Sequence, residues 1–365
     1  MNYFETFSSN TIAGIGNQFY FGTAKDEIRV GRIFYKITVG GTYRYSLLFT
    51  NTIDSTYALG DISQKNLVCK PWTIHRARIG RAGAETFATD AMHHNDSDVF
   101  AWCDLTFNRY TSKEVASGET FWNDPIELTF DKDEYLCLEI AFSGEMIPYH
   151  EESLLPIFIR QNGDWRYDRK MPLAGMVGCD RKIKHRITFW GDSITQGIGT
   201  PHNSYAHWSA LVANKLDEQY ACWNIGIGYA RANDAATLDA WWKKAKHSDT
   251  VVLCLGANDI LQYYPEDQLL TDLQTIVHAI KRQGIRIVLQ TVPPFEYNRG
   301  QIEVWKRVND FIRSRLAKEA DLFFDVVPFL SNGEPDHFPK YGGHPNTEGC
   351  RIWADALYAE LENLL

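Results

Sequence analysis

The chain has 365 residues, about twice the length of a typical domain, so two domains on one chain are expected. Apolar residues make up 44% and charged residues 23% of the sequence, a balance that excludes a largely disordered protein. The formal net charge of -9, with RKIKHR as the one short basic cluster, argues against a nucleic acid as the partner.

The sequence of the first half of the chain is typical of β-strands. Aromatic and β-branched runs bounded by Gly, Asn or Asp stand at IFYKITVGG, TYRYSLLFTN and EYLCLEIAF, and long helical periodicity is missing. This pattern predicts an antiparallel, jelly-roll-like β-sandwich over residues 1–180. The stretch MPLAGMVGCDRK, residues 171–182, contains Pro and Gly and is expected to be a linker.

Residues 181–365 alternate short apolar runs with amphipathic stretches. Buried strands are predicted at RITFWG, CWNIG, TVVLCLG, IRIVLQT and LFFDVV. Helices are predicted at SYAHWSALVANKL, EDQLLTDLQTIVHAIKRQ, IEVWKRVNDFIRSRLAKEA and TEGCRIWADALYAELENLL. The alternation predicts βαβ units and a parallel sheet with helices on both faces. In such sheets, ligands bind at the carboxyl ends of the strands.

Cysteine usage and the first residues bear on the compartment. The seven cysteines have no CxxC spacing, which is typical of free thiols in a reducing environment. The opening residues MNYFETFSSN lack the basic and apolar regions of a secretion signal, and no apolar run reaches the roughly 20 residues of a membrane span. We therefore expect a cytoplasmic protein that does not enter the membrane.

Four short polar stretches stand where predicted strands end or where the last helix begins. They are GDS with Ser193, NIGIG with Gly228, GAND with Asn258, and GHPN with His344. Each alone is common turn chemistry. Because parallel strands bring their carboxyl ends to one edge of the sheet, the four together predict a site where a hydroxyl, an imidazole and an amide converge.

This set of residues suits acyl transfer. A serine hydroxyl needs a base to remove its proton, and the oxyanion that forms needs fixed donors. On this interpretation Ser193 attacks and His344 takes its proton. The backbone N–H of Ser193, a backbone N–H in the Gly228 turn and the Asn258 amide then hold the oxyanion. The G-x-S-x-G elbow of α/β-hydrolases is absent, because residue 195 is Thr.

The four stretches, in this order, resemble those of the SGNH (GDSL) hydrolases, with Ser193, Gly228, Asn258 and His344 as the four named residues. The resemblance implies a flavodoxin-like three-layer α/β/α domain and ester hydrolysis without a metal or organic cofactor. Some members carry an N-terminal β-sandwich, and RYSLLFTN and WNDPIELTF in this chain resemble stretches of such sandwiches.

The orienting acid of the family is missing from its usual place. Members with a full triad have Asp three residues before the histidine, and this chain has Tyr341 before His344. One alternative is a Ser-His dyad, with a backbone carbonyl or Tyr341 orienting the imidazole. The other is that Asp336 or Glu334 reaches the histidine from the preceding loop.

Three positions beside the named residues also matter. In this block the family commonly has a small residue followed by Gly, whereas this chain has Gly228 followed by Tyr229. Either the Gly228 N–H or the Tyr229 N–H is therefore the expected donor to the oxyanion. Asp192 adjoins the nucleophile, but adjacent side chains on a turn point apart, so it is expected to brace the loop through backbone amides. Asp259 is expected to do the same beside Asn258.

The resemblance implies a serine esterase that removes small acyl groups, acetyl above all, from a carbohydrate or polyol. The partner is then a small-molecule or oligosaccharide ester. Two alternatives stay open: a lipase-like or thioesterase activity on longer acyl chains, and a catalytically impaired carbohydrate-binding protein. The sugar, the ester position, the contribution of the sandwich to the cleft and the formation of homo-oligomers are also open.

Overall fold

The structure is a computed structural model that describes residues 2–24, 27–57 and 63–365, without the side chains of residues 56, 57, 63 and 64. The first half is built from antiparallel strands. They are β1 (Ser8–Ser9), β2 (Phe19–Phe21), β3 (Arg29–Lys36), β4 (Gly41–Thr50), β5 (Thr52–Tyr57), β6 (Ser63–Val68), β7 (Trp72–Ala82), β8 (Phe100–Asp104), β9 (Lys113–Val115), β10 (Thr120–Trp122), β11 (Ile126–Phe130), β12 (Tyr135–Gly144), β13 (Ile147–Tyr149), β14 (Ile157–Gln161), β15 (Asp164–Tyr167) and β16 (Met176–Cys179).

These strands form two main sheets. One has the order β1-β16-β4-β10, with β11 also paired to β4; the other has the order β15-β14-β3-β12-β7-β8, with β9 also paired to β7. The pairs β2–β13 and β5–β6 form separate ribbons. The prediction of an antiparallel β-rich region in the first half is therefore confirmed.

Strand β3 shows why the sequence of this region contains continuous apolar runs. Ile33 and Tyr35 point into the main core, while Phe34 packs in a second, smaller core with Phe87 and Phe158. Because both faces of the strand are covered, apolar side chains are favoured at successive positions and the usual alternation is lost.

The second half contains the parallel sheet. Its strands are β17 (His185–Gly191), β18 (Tyr220–Asn224), β19 (Thr250–Cys254), β20 (Arg286–Gln290) and β21 (Leu322–Phe324). Their order is β18-β17-β19-β20-β21, and each neighbouring pair is parallel. This is the 2-1-3-4-5 order of flavodoxin-like folds, so the predicted fold class is confirmed.

Helices cover both faces of this sheet. The described residues contain α1 (Tyr3–Thr6), α2 (Ser193–Gln196), α3 (Trp208–Lys215), α4 (Ala232–Ala236), α5 (Trp242–Ala245), α6 (Ala257–Leu261), α7 (Glu266–Arg282), α8 (Arg299–Ser314), α9 (Val327–Leu330) and α10 (Thr347–Leu361). On β17, Phe189 meets Trp208 of α3, while the next residue, Trp190, meets Trp241 and Trp242 beside and within α5. Successive strand residues point to opposite faces, so both faces are buried under helices.

The expectation of a linker at residues 171–182 was wrong. Met171 is fully buried, and β16 pairs with β1 on one side and with β4 on the other. The segment is a central strand because its backbone groups complete two ladders, a long-range pairing that Pro and Gly in the sequence do not reveal.

The two halves share one continuous hydrophobic core. Polar bonds also join them: Trp223 Nε1 donates to the Gly175 carbonyl at 2.9 Å, and the Asp54 carboxylate of β5 binds the buried Lys244 ammonium of α5. The sandwich is therefore packed against the parallel sheet. No helix in the described ranges is both long and apolar enough to cross a membrane.

Candidate active site

Ser193 stands at a sharp turn between β17 and α2. Asp192 caps the helix, since its Oδ1 accepts a hydrogen bond from the Ile194 N–H at 3.0 Å. A Cβ at Gly191 would lie 2.0 Å from Thr195 Oγ1 and 2.6 Å from the Cys254 carbonyl. Only glycine fits there, and the close approach places Ser193 at the carboxyl edge of the sheet.

His344 reaches the same edge from the far end of the domain. Its Nε2 lies 2.8 Å from Ser193 Oγ, a hydrogen-bonding distance. Gly342 adopts φ +90°, and Asn346 caps α10 by accepting from the Gly349 N–H at 3.0 Å. The glycine turn and the helix cap thus fix the imidazole opposite the hydroxyl.

The turn containing Gly228 is tied to the nucleophile loop. The Ile227 N–H donates to the Gly191 carbonyl at 3.2 Å, and Asn258 Nδ2 donates to the Ala230 carbonyl at 3.0 Å. A side-chain amide carries two hydrogens, so Asn258 keeps one for a ligand in the described structure. The structure therefore brings Ser193 and His344 into contact, and it ties the turn at Gly228 to the loops that carry Ser193 and Asn258.

The surroundings of His344 favour its neutral form. Burial lowers the pKa of His344, and the nearby negative charge of Glu296 raises it by less, so the net shift is downward. The ring of Phe295 stands edge-on to the imidazole, with centroids 5.2 Å apart. A neutral imidazole is what a general base requires before it accepts a proton.

The structure does not bring the candidate orienting groups to His344. Glu334 binds His337 Nε2 at 2.7 Å instead, and Asp336 is exposed. The Tyr341 ring lies beneath Lys340 Nζ. Among the hydrogen bonds of the described residues, none involves His344 Nδ1, while Glu296 Oε1 accepts from the neighbouring Gly343 N–H at 3.4 Å.

The two aspartates beside the site hold backbone. Besides the Asp192 cap, Asp259 accepts from the N–H groups of Ala232 and Asn233 at 2.9 and 3.4 Å. Both carboxyls are buried, and burial raises the pKa of each to about 7. These contacts brace the loops that carry Ser193 and Asn258.

Sequence reasoning missed three residues near the site: Glu296, Gln18 and Glu152. Glu296 follows β20 at the carboxyl edge of the sheet, so its position after a buried strand was a usable signal. Gln18 and Glu152 come from the sandwich and contact the Gly228 turn. No local pattern marks them, because the contact depends on how the two halves pack.

The fold and this geometry place a serine hydroxyl beside an imidazole at the carboxyl edge of a parallel sheet, an arrangement suited to acyl transfer. The described residues contain no group of three or more His, Cys, Asp or Glu side chains placed to hold a metal ion.

A comparison with known protein families points to the same chemistry. Residues 189–352 match the model of the GDSL-like Lipase/Acylhydrolase family. The matched residues include Ser193 and His344, and the match supports an ester hydrolase of the SGNH type in the second half of the chain. No curated protein sequence matches the chain significantly.

Solved structures that align with this chain each cover about half of it. A putative lipolytic protein of the G-D-S-L family from Desulfitobacterium hafniense DCB-2 is 19% identical, covers 48% of this chain and 99% of its own, and has a TM-score of 0.41. A carbohydrate acetylesterase family member from Sinorhizobium meliloti is 18% identical, covers 50% of this chain and 99% of its own, and has a TM-score of 0.42. The psychrotrophic esterase EstA from Pseudoalteromonas sp. is 16% identical, covers 50% of this chain and 98% of its own, and has a TM-score of 0.40.

Proposed function

We propose that the chain is a serine esterase that removes acetyl groups from a carbohydrate or similar polyol. The observation that carries the esterase part is the 2.8 Å approach of Ser193 Oγ and His344 Nε2 at the carboxyl edge of the parallel sheet. Nucleophile and base are within direct proton-transfer distance there.

In the first half of the reaction, Ser193 Oγ bonds to the ester carbonyl carbon while His344 Nε2 takes the hydroxyl proton. The carbonyl oxygen becomes an oxyanion, held by the Ser193 N–H, by an N–H of the turn at Gly228 or Tyr229, and by Asn258 Nδ2. When the C–O bond to the alcohol breaks, His344 returns the proton to the leaving oxygen, and an acyl-serine is left.

Water completes the cycle. His344 removes a proton from a water molecule, whose oxygen bonds to the acyl carbon. The resulting tetrahedral intermediate collapses by breaking the bond to Ser193 Oγ, which regains a proton from the imidazolium. The products are a carboxylic acid and free enzyme, and every proton passes through His344.

The polyol part of the proposal draws on the family analogy and on the polar groups at the Gly228 turn. SGNH members that pair the hydrolase with a β-sandwich resemble carbohydrate acetylesterases. In this chain the fully buried Gln18 donates to the Gly228 carbonyl at 3.2 Å, and Glu152 lies beside it. Polar side chains at this position favour a hydroxyl-bearing alcohol over an alkyl chain.

Acetate release from a panel of acetylated mono- and oligosaccharides tests the proposal. We expect release by the native chain and a loss of at least about 1,000-fold in kcat for Ser193→Ala. Ser204→Ala is the matched control, because Ser204 is exposed and its hydroxyl bonds to the backbone of its own loop, donating to the Pro201 carbonyl and accepting from the Ala206 N–H. Equal activity of the native chain and Ser193→Ala would refute the assignment of the nucleophile.

The acyl chain length is tested with p-nitrophenyl esters of increasing length. We expect kcat/KM to be highest for acetate. A preference for long chains would replace the proposal with a lipase-like or thioesterase activity. Sugar binding without hydrolysis of any ester would indicate a catalytically impaired binding protein.

A further inference from the structure

The sandwich places a carboxylate directly against the turn that carries Gly228. A Cβ built on Gly228 would lie 1.6 Å from Glu152 Oε2, so the carboxylate touches the glycine backbone. Gln18 Nε2 bridges the two groups, at 2.8 Å from Glu152 Oε2 and 3.2 Å from the Gly228 carbonyl.

Glu152 is held in place from both halves of the chain. Its backbone N–H donates to Gln18 Oε1 at 3.2 Å, and its carbonyl accepts from Gln196 Nε2 at 2.7 Å. Gln196 belongs to α2, the short helix that begins with Ser193. The position of the carboxylate is therefore coupled to the nucleophile helix, as specific substrate recognition requires.

The carboxylate is placed to accept from a ligand. Glu152 is half-buried, and its Oε1 has no hydrogen bond in the part of the chain that the structure describes. An ionised carboxylate only accepts hydrogen bonds, so a ligand must supply the donor. Burial raises the pKa of Glu152, while the Gln18 hydrogen bond and the positive charge of Arg169 lower it by less. A hydroxyl group of a polyol supplies such a donor.

We propose that Glu152, held by Gln18, binds a free hydroxyl on the carbon next to the ester, so that the enzyme prefers partially acetylated sugars or polyols. This inference rests on the proposed esterase function. The carboxylate touches Gly228, whose turn is proposed to hold the oxyanion, so the hydroxyl that Glu152 binds is assigned to a carbon close to the ester. Its hydrogen bond also reduces the repulsion between Glu152 and the oxyanion.

The test compares two substrates in the full chain. One is the monoacetylated sugar hydrolysed fastest in the panel above, with a free hydroxyl beside the ester; the other is p-nitrophenyl acetate, which has no hydroxyl. We expect Glu152→Ala to lower the ratio of their kcat/KM values by about 10- to 100-fold, the loss expected for one charge-assisted hydrogen bond. Glu152→Gln retains an acceptor oxygen and is expected to lose less.

Glu151→Gln is the matched control, because the neighbouring Glu151 is exposed and accepts from the Tyr149 hydroxyl. Its ratio should stay that of the native chain. An equal fall for both substrates in Glu152→Ala and Glu152→Gln would show a purely structural role and overturn the inference. Unchanged or faster hydrolysis of the monoacetylated sugar by Glu152→Ala would show that the carboxylate makes no favourable contact with the hydroxyl, which also overturns it. If the native chain hydrolyses neither substrate, the proposed function itself fails and the inference falls with it.

Discussion

At the scale of single residues, the site depends on a histidine whose charge is controlled by burial. Removing the imidazole from water disfavours the imidazolium, while Glu296 favours it. The balance lowers the pKa of His344 and leaves a neutral base against Ser193 Oγ. Glu296 therefore weakly opposes the formation of the neutral base, although its charge also stabilises the imidazolium that forms in the reaction.

The pH dependence of hydrolysis should report this balance. A lowered pKa means that His344 is still neutral as the pH falls below 6.5, the usual value for histidine, and is protonated only at lower pH. We expect the acid limb of kcat/KM for p-nitrophenyl acetate to lie below pH 6.5. In Glu296→Gln the charge that raises the pKa is lost, so the limb should move to still lower pH.

Glu303→Gln, on the exposed side of α8, is the control for a general change in surface charge. Its acid limb should coincide with that of the native chain. An acid limb above pH 6.5, or one that Glu296→Gln leaves in place, would contradict the role of burial and of Glu296.

At the scale of elements, the sequence predicted most strands and helices because each is a local pattern. The five parallel strands lie where apolar runs were bounded by turn residues. Boundaries were less predictable: α8 begins at Arg299, three residues before the predicted start, because Asn298 and Gln301 form a capping box. The polar residues of such a cap carry no apolar periodicity.

The loop between α2 and α3 holds the base through a close backbone approach. Gly199 has φ +99°, and a Cβ there would lie 2.6 Å from the His344 carbonyl and 2.8 Å from the Pro345 carbonyl. We expect Gly199→Ala to displace His344 and lower kcat by at least about 10-fold, because small misplacements of catalytic groups are costly. Steady-state kinetics with p-nitrophenyl acetate measure the loss.

Gly284→Ala separates this effect from backbone strain. Gly284 also has a left-handed backbone, with φ +71°, but a Cβ there would meet nothing within 4 Å. This variant should lose about 1 kcal/mol of stability and keep its kcat. Equal kcat values for the Gly199 and Gly284 variants would argue against the contact with His344.

At the scale of the whole molecule, the sequence predicted the β-rich first half and the α/β second half, but not how the two halves pack together. The proximity of Ser193 and His344 could be predicted from the sequence, because the carboxyl ends of parallel strands lie at one edge of the sheet. Glu152 could not, and residues 171–182 were taken for a linker, since both depend on the packing of the sandwich against the parallel sheet. Because the two halves share one hydrophobic core, we expect them to unfold as one unit.

The buried ion pair between Asp54 and Lys244 tests this coupling. Both side chains are at most 4% exposed, one in the sandwich and one in the hydrolase half. Removing one partner leaves an uncompensated buried charge, so Asp54→Ala should lower the free energy of unfolding by about 3–5 kcal/mol. Chemical denaturation measures that loss, and calorimetry should show a single transition moved to lower temperature.

Glu145→Ala is the control, because it breaks the exposed pair with Lys70 and should lower the free energy of unfolding by less than about 1 kcal/mol. Two transitions, with only one shifted by Asp54→Ala, would mean that the halves unfold independently.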